Sequence, residues 1–165
     1  MTAVVEETGL AAQMRTGSQA EHTEAESSTF MDSLLKGEIN ERGYADYLAA
    51  LRPIYAALEK VGAQLADHPV VGSIIDPGLD RLASIDADIA TWSRGDAPAF
   101  ASAAVDNYVA RIESTLDNPI LFVAHHYTRY LGDLSGGQAI GKLLGRAFGI
   151  TDGTGLTMYQ FDSIE

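Results

Sequence analysis

The sequence predicts an all-α, single-domain fold over residues 1–165. Three observations carry that expectation. Apolar residues recur in three- and four-residue steps across residues 41–66 and 123–149. No strand-like alternation persists anywhere, and no internal repeat or low-complexity tract intervenes. Cap and turn residues punctuate the periodic stretches at Asn40, Asp67-His68-Pro69, Asp76-Pro77 and Asp117-Asn118-Pro119.

In chain order, residues 1–8 are expected to fray. A first helix is expected from about Gly9 to Ser27, with Leu10, Met14 and Ala20 inward. Arg15, His22 and Glu26 stand seven and four residues apart on it, which gives them one face. Lys36-Gly37 marks a turn, and Asn40 is a candidate N-cap with Gly43 three residues on. The second helix, Glu41 to about Ala66, holds Tyr44, Tyr47, Leu48, Leu51, Tyr55, Leu58, Val61 and Leu65 in register. Pro53 lies inside it and should kink it. Asp76 and Pro77 give the cap and first turn of a third helix, roughly Pro77 to Trp92. A loop over Ser93–Pro98 leads to a fourth helix, about Ala99 to Leu116. Asp117-Asn118-Pro119 then opens a long glycine-rich helix, and Asp152–Gly155 turns into a last segment with Met158, Tyr159 and Phe161. The chain stops at Ile164-Glu165 without a cap or polar tail, as an interrupted element would.

Composition narrows the function. A 46% hydrophobic content over 165 residues suits one soluble domain with a real core. No apolar run approaches the length of a membrane span, and Met1–Arg15 lacks the pattern of a secretory signal. With no cysteine, disulfides, thiolate metal sites and cysteine nucleophiles are excluded, and a cytoplasmic location is expected. A formal charge of −12 argues against nucleic acid or anionic membrane as a partner.

The glycine-rich helix, Val123 to Gly149, is the energetic oddity. It holds glycines at 132, 136, 137, 141 and 145. At about 0.8–1 kcal/mol each relative to alanine, they forfeit roughly 4–5 kcal/mol of helix propensity. Glycines 137, 141 and 145 form a bare stripe on which a neighbouring helix can pack. Glycines 132, 136 and 137 surround Asp133 and Ser135, and there either packing or close approach of backbone to a flat ligand fits.

Of four histidines, His68 sits in a proline loop and is expected to be solvated. His125 and His126 point about 100° apart on a helix, so they cannot share one site, and one is expected to be a hydrogen-bonded core residue. His22 is either an exposed helical histidine or a metal ligand. As a ligand it needs an acceptor for its second ring nitrogen, which Glu26 is spaced to supply, and Arg15 could pair with an anionic group. Glu-x-x-His pairs, His-Glu-x-x-His, a hydrolase elbow and phosphate-loop glycine patterns are all absent. One histidine ligand and one bare-backbone helix would suit a haem.

At this point the residues resemble the haem oxygenases. Tyr127-Thr128-Arg129-Tyr130-Leu131-Gly132-Asp133-Leu134-Ser135-Gly136-Gly137-Gln138 is similar to that family's distal-helix signature. His22-Thr23-Glu24-Ala25-Glu26 with Phe30-Met31 is similar to its proximal-helix motif, and Ile54–Glu59 to the helix between. The similarity runs from about Met14 to Ile164. It implies a multi-helical fold with haem b between a proximal helix and a kinked, glycine-rich distal helix. By position, His22 is the implied axial iron ligand with Glu26 as its acceptor, and Arg15 and Tyr127 the implied propionate partners. Gly132 and Gly136 match glycines whose backbone approaches haem. Asp133 matches the carboxylate that anchors a distal water network, with Arg129 and Tyr55 as members. Haem is then both cofactor and substrate. O2 and electrons from a reductase or ferredoxin convert it to biliverdin, carbon monoxide and ferrous iron, in a monomeric protein. Family members continue past the position of Glu165, in a region that supplies further propionate partners and pocket wall. A haem-binding or haem-transfer module without turnover is the alternative, and a purely structural helical domain a third.

Overall fold

The computed structural model describes residues 9–93 and 100–161. The expectations for residues 1–8, for most of the 93–98 loop, for a helix start at Ala99 and for the chain end lie outside them. Every element among the described residues is helical. None of these helices is long and apolar enough to cross a membrane. The chain divides into two compact units, residues 1–38 and 39–165.

In the first unit, the single helix expected over Gly9–Ser27 is two: α1 (Leu10–Gly17) and α2 (Gln19–Glu26). The break falls at Ser18, whose backbone leaves helical geometry at φ −105° and ψ 3°. Gly17 weakens the helix there, and the Ser18 hydroxyl donates back to the Met14 carbonyl at 2.9 Å. Arg15 therefore sits on α1 while His22 and Glu26 sit on α2, so the seven-residue spacing does not place all three on one helix. Met14 is half-buried, but Ala20 is exposed. A third helix, α3 (Thr29–Leu35), was not foreseen. Its cap is Ser28, whose hydroxyl accepts the Met31 amide at 3.4 Å. Gly37 ends the unit's helices with φ 69°, a left-handed conformation natural to glycine.

The second unit is built on α4 (Glu41–Gln64), which continues through Pro53. The Asn40 side chain caps it, accepting the Gly43 amide at 2.8 Å. Tyr44, Leu48, Leu51, Tyr55, Leu58 and Val61 are buried, as the periodicity requires, and Tyr47 is half-buried. This face packs mainly against α5 (Leu82–Trp92) and α6 (Ala103–Ser114). The helix expected from Pro77 is instead a 3₁₀ turn, Pro77–Leu79, capped by Asp76, and α5 starts only at Leu82. The late start has a tertiary cause. The Glu59 carboxylate, on α4, accepts the Arg81 and Leu82 amides at 2.7 Å each and so caps α5 from outside. His68 lies in a loop, as expected, but is half-buried rather than fully solvated, and its Nδ1 accepts the Val70 and Val71 amides at 3.3 Å.

After a 3₁₀ turn at Thr115–Asp117 come α7 (Pro119–His126) and α8 (Gln138–Phe148). Gly149 closes α8 at φ 69°, and the Ile150 amide reaches back to the Gly145 carbonyl at 2.7 Å. The last described element is a 3₁₀ turn at Thr157–Tyr159.

Candidate functional site

Between α7 and α8 the helix does not stop. It widens into two π-helical turns, Tyr127–Leu131 and Asp133–Gly137, joined at Gly132. Such wide turns are rare and concentrate at functional sites. Gly132 and Gly137 keep ordinary helical angles (φ −59° and −58°), so unusual dihedrals do not explain these glycines. Space does. A Cβ added at Gly132 or Gly136 would meet nothing within 4 Å. A Cβ at Gly141 would lie 2.8 Å from the Tyr159 Cβ, one at Gly137 3.3 Å from Tyr159 Cδ1, and one at Gly145 3.3 Å from the Ile150 carbonyl. The glycines thus split into an open pair and a packed stripe. The stripe's partner is the Ile150–Tyr159 segment, not the neighbouring helix expected from the sequence.

Directly beside the open pair lies a buried polar network. The Asp133 carboxylate, 7% exposed, accepts a hydrogen bond from the Tyr55 hydroxyl. The Tyr55 oxygen accepts in turn from Arg129 Nη2 at 2.9 Å, and the guanidinium sits 5.1 Å over the Tyr55 ring. Burial pushes the Asp133 carboxyl above its ordinary range, with Arg129 and the Tyr55 hydrogen bond pulling the other way. Burial also raises Tyr55. Burial works against the Arg129 charge, but Tyr55, Asp133 and Tyr47 outweigh it and hold the guanidinium firmly protonated. The three residues expected here, Tyr55, Arg129 and Asp133, are therefore brought together. Tyr127 is half-buried at the head of the first π turn.

The paired histidines separate as their angle requires, but the expected roles divide. His126 is the core residue, against the rings of Phe122 and Tyr130 at 5.9 and 4.6 Å. His125 has the hydrogen bond, its Nδ1 3.4 Å from the Tyr108 hydroxyl. Burial lowers both of their pKa values.

In the first unit, His22 is exposed on α2 with its Nδ1 3.4 Å from a Glu26 oxygen, as the four-residue spacing demands. Arg15 is exposed on α1. Among the described residues, no group of three or more histidines, aspartates or glutamates could hold a metal ion. A metal at His22 must therefore bring most of its own donors, as porphyrin iron does. Haem fits the residues present.

Two buried charged residues escaped the sequence reading. Asp88, on α5, accepts the Thr157 amide, the Thr157 hydroxyl and the Met158 amide at 2.9, 2.7 and 2.9 Å. Arg81 donates to the carbonyls of Gly78, Leu79 and Gln160 and lies 4.1 Å from the Phe161 ring centroid. Asp88 was legible in principle, as a carboxylate three residues from the apolar Ile85. Arg81 had no local signal. A groove of about 520 Å³ beside α8, with Lys142 and Arg146 in its wall, includes none of Tyr55, Arg129, Gly132, Asp133 or Gly136.

The family model described as "Heme oxygenase" matches residues 8–165. Heme oxygenase 1 of a Synechocystis species is 37% identical over 159 residues, covering 94% of this chain and 66% of that protein. The crystal structure of heme oxygenase-2 from Synechocystis, in complex with heme and NO, superposes with a TM-score of 0.87 at 34% identity. It covers 94% of this chain and 65% of that one. The heme oxygenase of Leptospira interrogans superposes with a TM-score of 0.86 at 35% identity, over 96% of this chain and 78% of that one. The chain spans about two thirds of the length of the curated Synechocystis relatives it matches. With nearly its whole length matched in sequence and in fold, the chain belongs to the haem oxygenase family.

Proposed function

We propose that this chain, as a single haem oxygenase-like domain, binds haem b and degrades it oxidatively to biliverdin, carbon monoxide and ferrous iron. Bound haem supplies an iron to carry O2 and a porphyrin edge to be oxidised. The protein's own residues bind, orient and move protons. His22 would hold the iron, with its Nδ1–H donating to the Glu26 carboxylate and leaving Nε2 free for the metal. Arg15 and Tyr127 pair with propionates. Gly132 and Gly136 offer backbone alone at the distal face, so no side-chain acid stands where oxygen binds. Asp133 lies just behind that face, held by Tyr55 and Arg129, and hands protons forward through water. Burial raises its pKa, which favours a carboxyl that can hold a proton and pass it on.

The observation that carries this reading is the open Gly132–Gly136 pair beside the Asp133–Tyr55–Arg129 network. Helix propensity alone disfavours those glycines, and packing does not require them. We further infer an external electron donor such as a reductase or ferredoxin, a monomer, a cytoplasmic location and a role in iron acquisition. Support for the location is the cysteine-free composition.

Absorption spectra during incubation with haem, O2 and an electron donor test the proposal. The Soret band should decay as biliverdin bands rise, and His22→Ala should lose most of the haem affinity and the ligand-dependent spectrum. Intact haem throughout would leave a haem-binding protein without turnover. Unchanged affinity and spectrum in His22→Ala would remove His22 as the ligand.

A further inference from the structure

The last described segment of the chain is tied down at several points. Asp88 accepts three hydrogen bonds from Thr157 and Met158. The Thr157 hydroxyl also reaches the Ser84 carbonyl at 3.1 Å. One turn along α5, Trp92 donates its indole N–H to the Gly155 carbonyl at 2.6 Å, and Arg81 holds the Gln160 carbonyl. What this clamped segment presents to the distal helix is Tyr159, 6% exposed. Its ring fills the notch left by Gly137 and Gly141. The Cβ that Gly137 lacks would stand 3.3 Å from Tyr159 Cδ1 and 3.5 Å from Asp133 Cβ. Tyr159 and Asp133 therefore meet across one missing methyl group.

A π turn widens the helix and forfeits regular α-helical hydrogen bonding, so it persists where its surroundings support it. We propose that Asp88 and Tyr159 are positioning residues. Together they form a strut that holds the Asp133–Gly137 turn where the Asp133 carboxylate meets the Tyr55 hydroxyl. Neither acts on haem directly. Their importance for haem turnover rests on the function proposed above, while the placement of Asp133 does not.

The test is the titration of the Asp133 carboxyl by carbon-13 NMR in the 165-residue chain, with and without haem. The groups that act on this carboxyl are Tyr47 and Tyr55 from α4, Arg129 and Tyr130 from the first π turn, and Arg81 and Tyr159 from the flanking segments. Tyr159→Ala, Gly141→Ala and Asp88→Asn should each let water reach Asp133. Burial is the largest influence on this carboxyl and its relief outweighs a weakened Tyr55 hydrogen bond, so the midpoint should fall, by about one unit. Tyr159→Phe keeps the ring and should stay within about 0.3 units of the parent. Gly141→Ala displaces Tyr159 without touching the Asp88 cap, so it decides the matter if Asp88→Asn does not fold. An unchanged Asp133 titration in Gly141→Ala and Tyr159→Ala, with helix content preserved by circular dichroism, would overturn the strut. If the parent chain leaves haem intact while these variants move Asp133, the proposed activity falls and the strut stands.

Discussion

Asp133, Tyr55 and Arg129 form a buried triad whose members constrain one another. The Tyr55 oxygen donates to the carboxylate and accepts from the guanidinium, so one atom serves two charged partners. Tyr55→Phe removes both hydrogen bonds without opening a large cavity. A buried group left without its partner costs about 1–3 kcal/mol, more when charged. Because the Tyr55 hydrogen bond lowers the Asp133 pKa, its loss should raise that pKa further. The sign then fixes the pH dependence. A carboxyl with a raised pKa binds its proton more tightly folded than unfolded, so its stability contribution is present below the ordinary carboxylate range. That contribution fades as pH rises through the raised value. Tyr55→Phe should therefore destabilise the protein more at pH 7 than at pH 4.5, as read from urea unfolding at both. An equal loss at both values would mean that the hydroxyl does not tune the carboxyl.

At the scale of elements, the distal helix shows what a single sequence can and cannot announce. The packed glycine stripe was readable, because four-residue spacing is a packing signature, whereas spacing alone did not separate the open Gly132 and Gly136 from the packed Gly137. The Asn40 cap with Gly43 and the Tyr44–Val61 register were likewise written locally and hold in the structure, whereas Asp76-Pro77 opens only a 3₁₀ turn and not the third helix. The π turns were not readable, since helical periodicity hardly distinguishes them from α-helix. Nor was the delayed start of α5, because its cap is Glu59, more than twenty residues away in sequence. The break at Ser18 arises from a weak Gly-Ser pair that periodicity alone ignores. Of the site, Tyr55, Arg129 and Asp133 were placed through the family signature, whereas Asp88, Glu59 and Arg81 act through backbone groups and carry no motif. The open and packed glycines make opposite predictions. Gly136→Ala adds a methyl group into free space at helical geometry and should stabilise the chain, by up to about 1 kcal/mol. Under the proposed function it should also slow haem degradation. Gly141→Ala forces its Cβ to within 2.8 Å of Tyr159 and should destabilise, by about 1–3 kcal/mol. Thermal unfolding of both variants separates the roles, and a destabilised Gly136→Ala would show that Gly136 serves packing after all.

For the molecule as a whole, the dominant electrostatic fact is a formal charge of −12. Among the described residues, the ion pairs Lys36–Asp32, Arg42–Asp46, Arg52–Asp86 and Lys60–Glu113 are largely solvent-exposed, where such attractions contribute little against the repulsion of the excess acidic groups. Self-repulsion should therefore outweigh attraction near neutral pH, and added salt should screen more of the former than the latter. Two sets of groups change this balance on acidification. Burial raises Glu59, Asp80, Asp88 and Asp133, so their contributions grow as pH falls through those raised values. His125 and His126 have lowered values, so their contribution is complete above the ordinary histidine pKa and fades as pH falls below it. The two sets oppose each other in stability, but both remove negative charge. Protonating all four histidines removes at most four charges, and each protonated carboxyl removes one more. The thermal midpoint should therefore rise with sodium chloride at pH 7.5 and rise less steeply at pH 5.5. A midpoint that falls with salt at pH 7.5 would mean that the exposed ion pairs, and not the excess of acidic side chains, govern the stability of the fold.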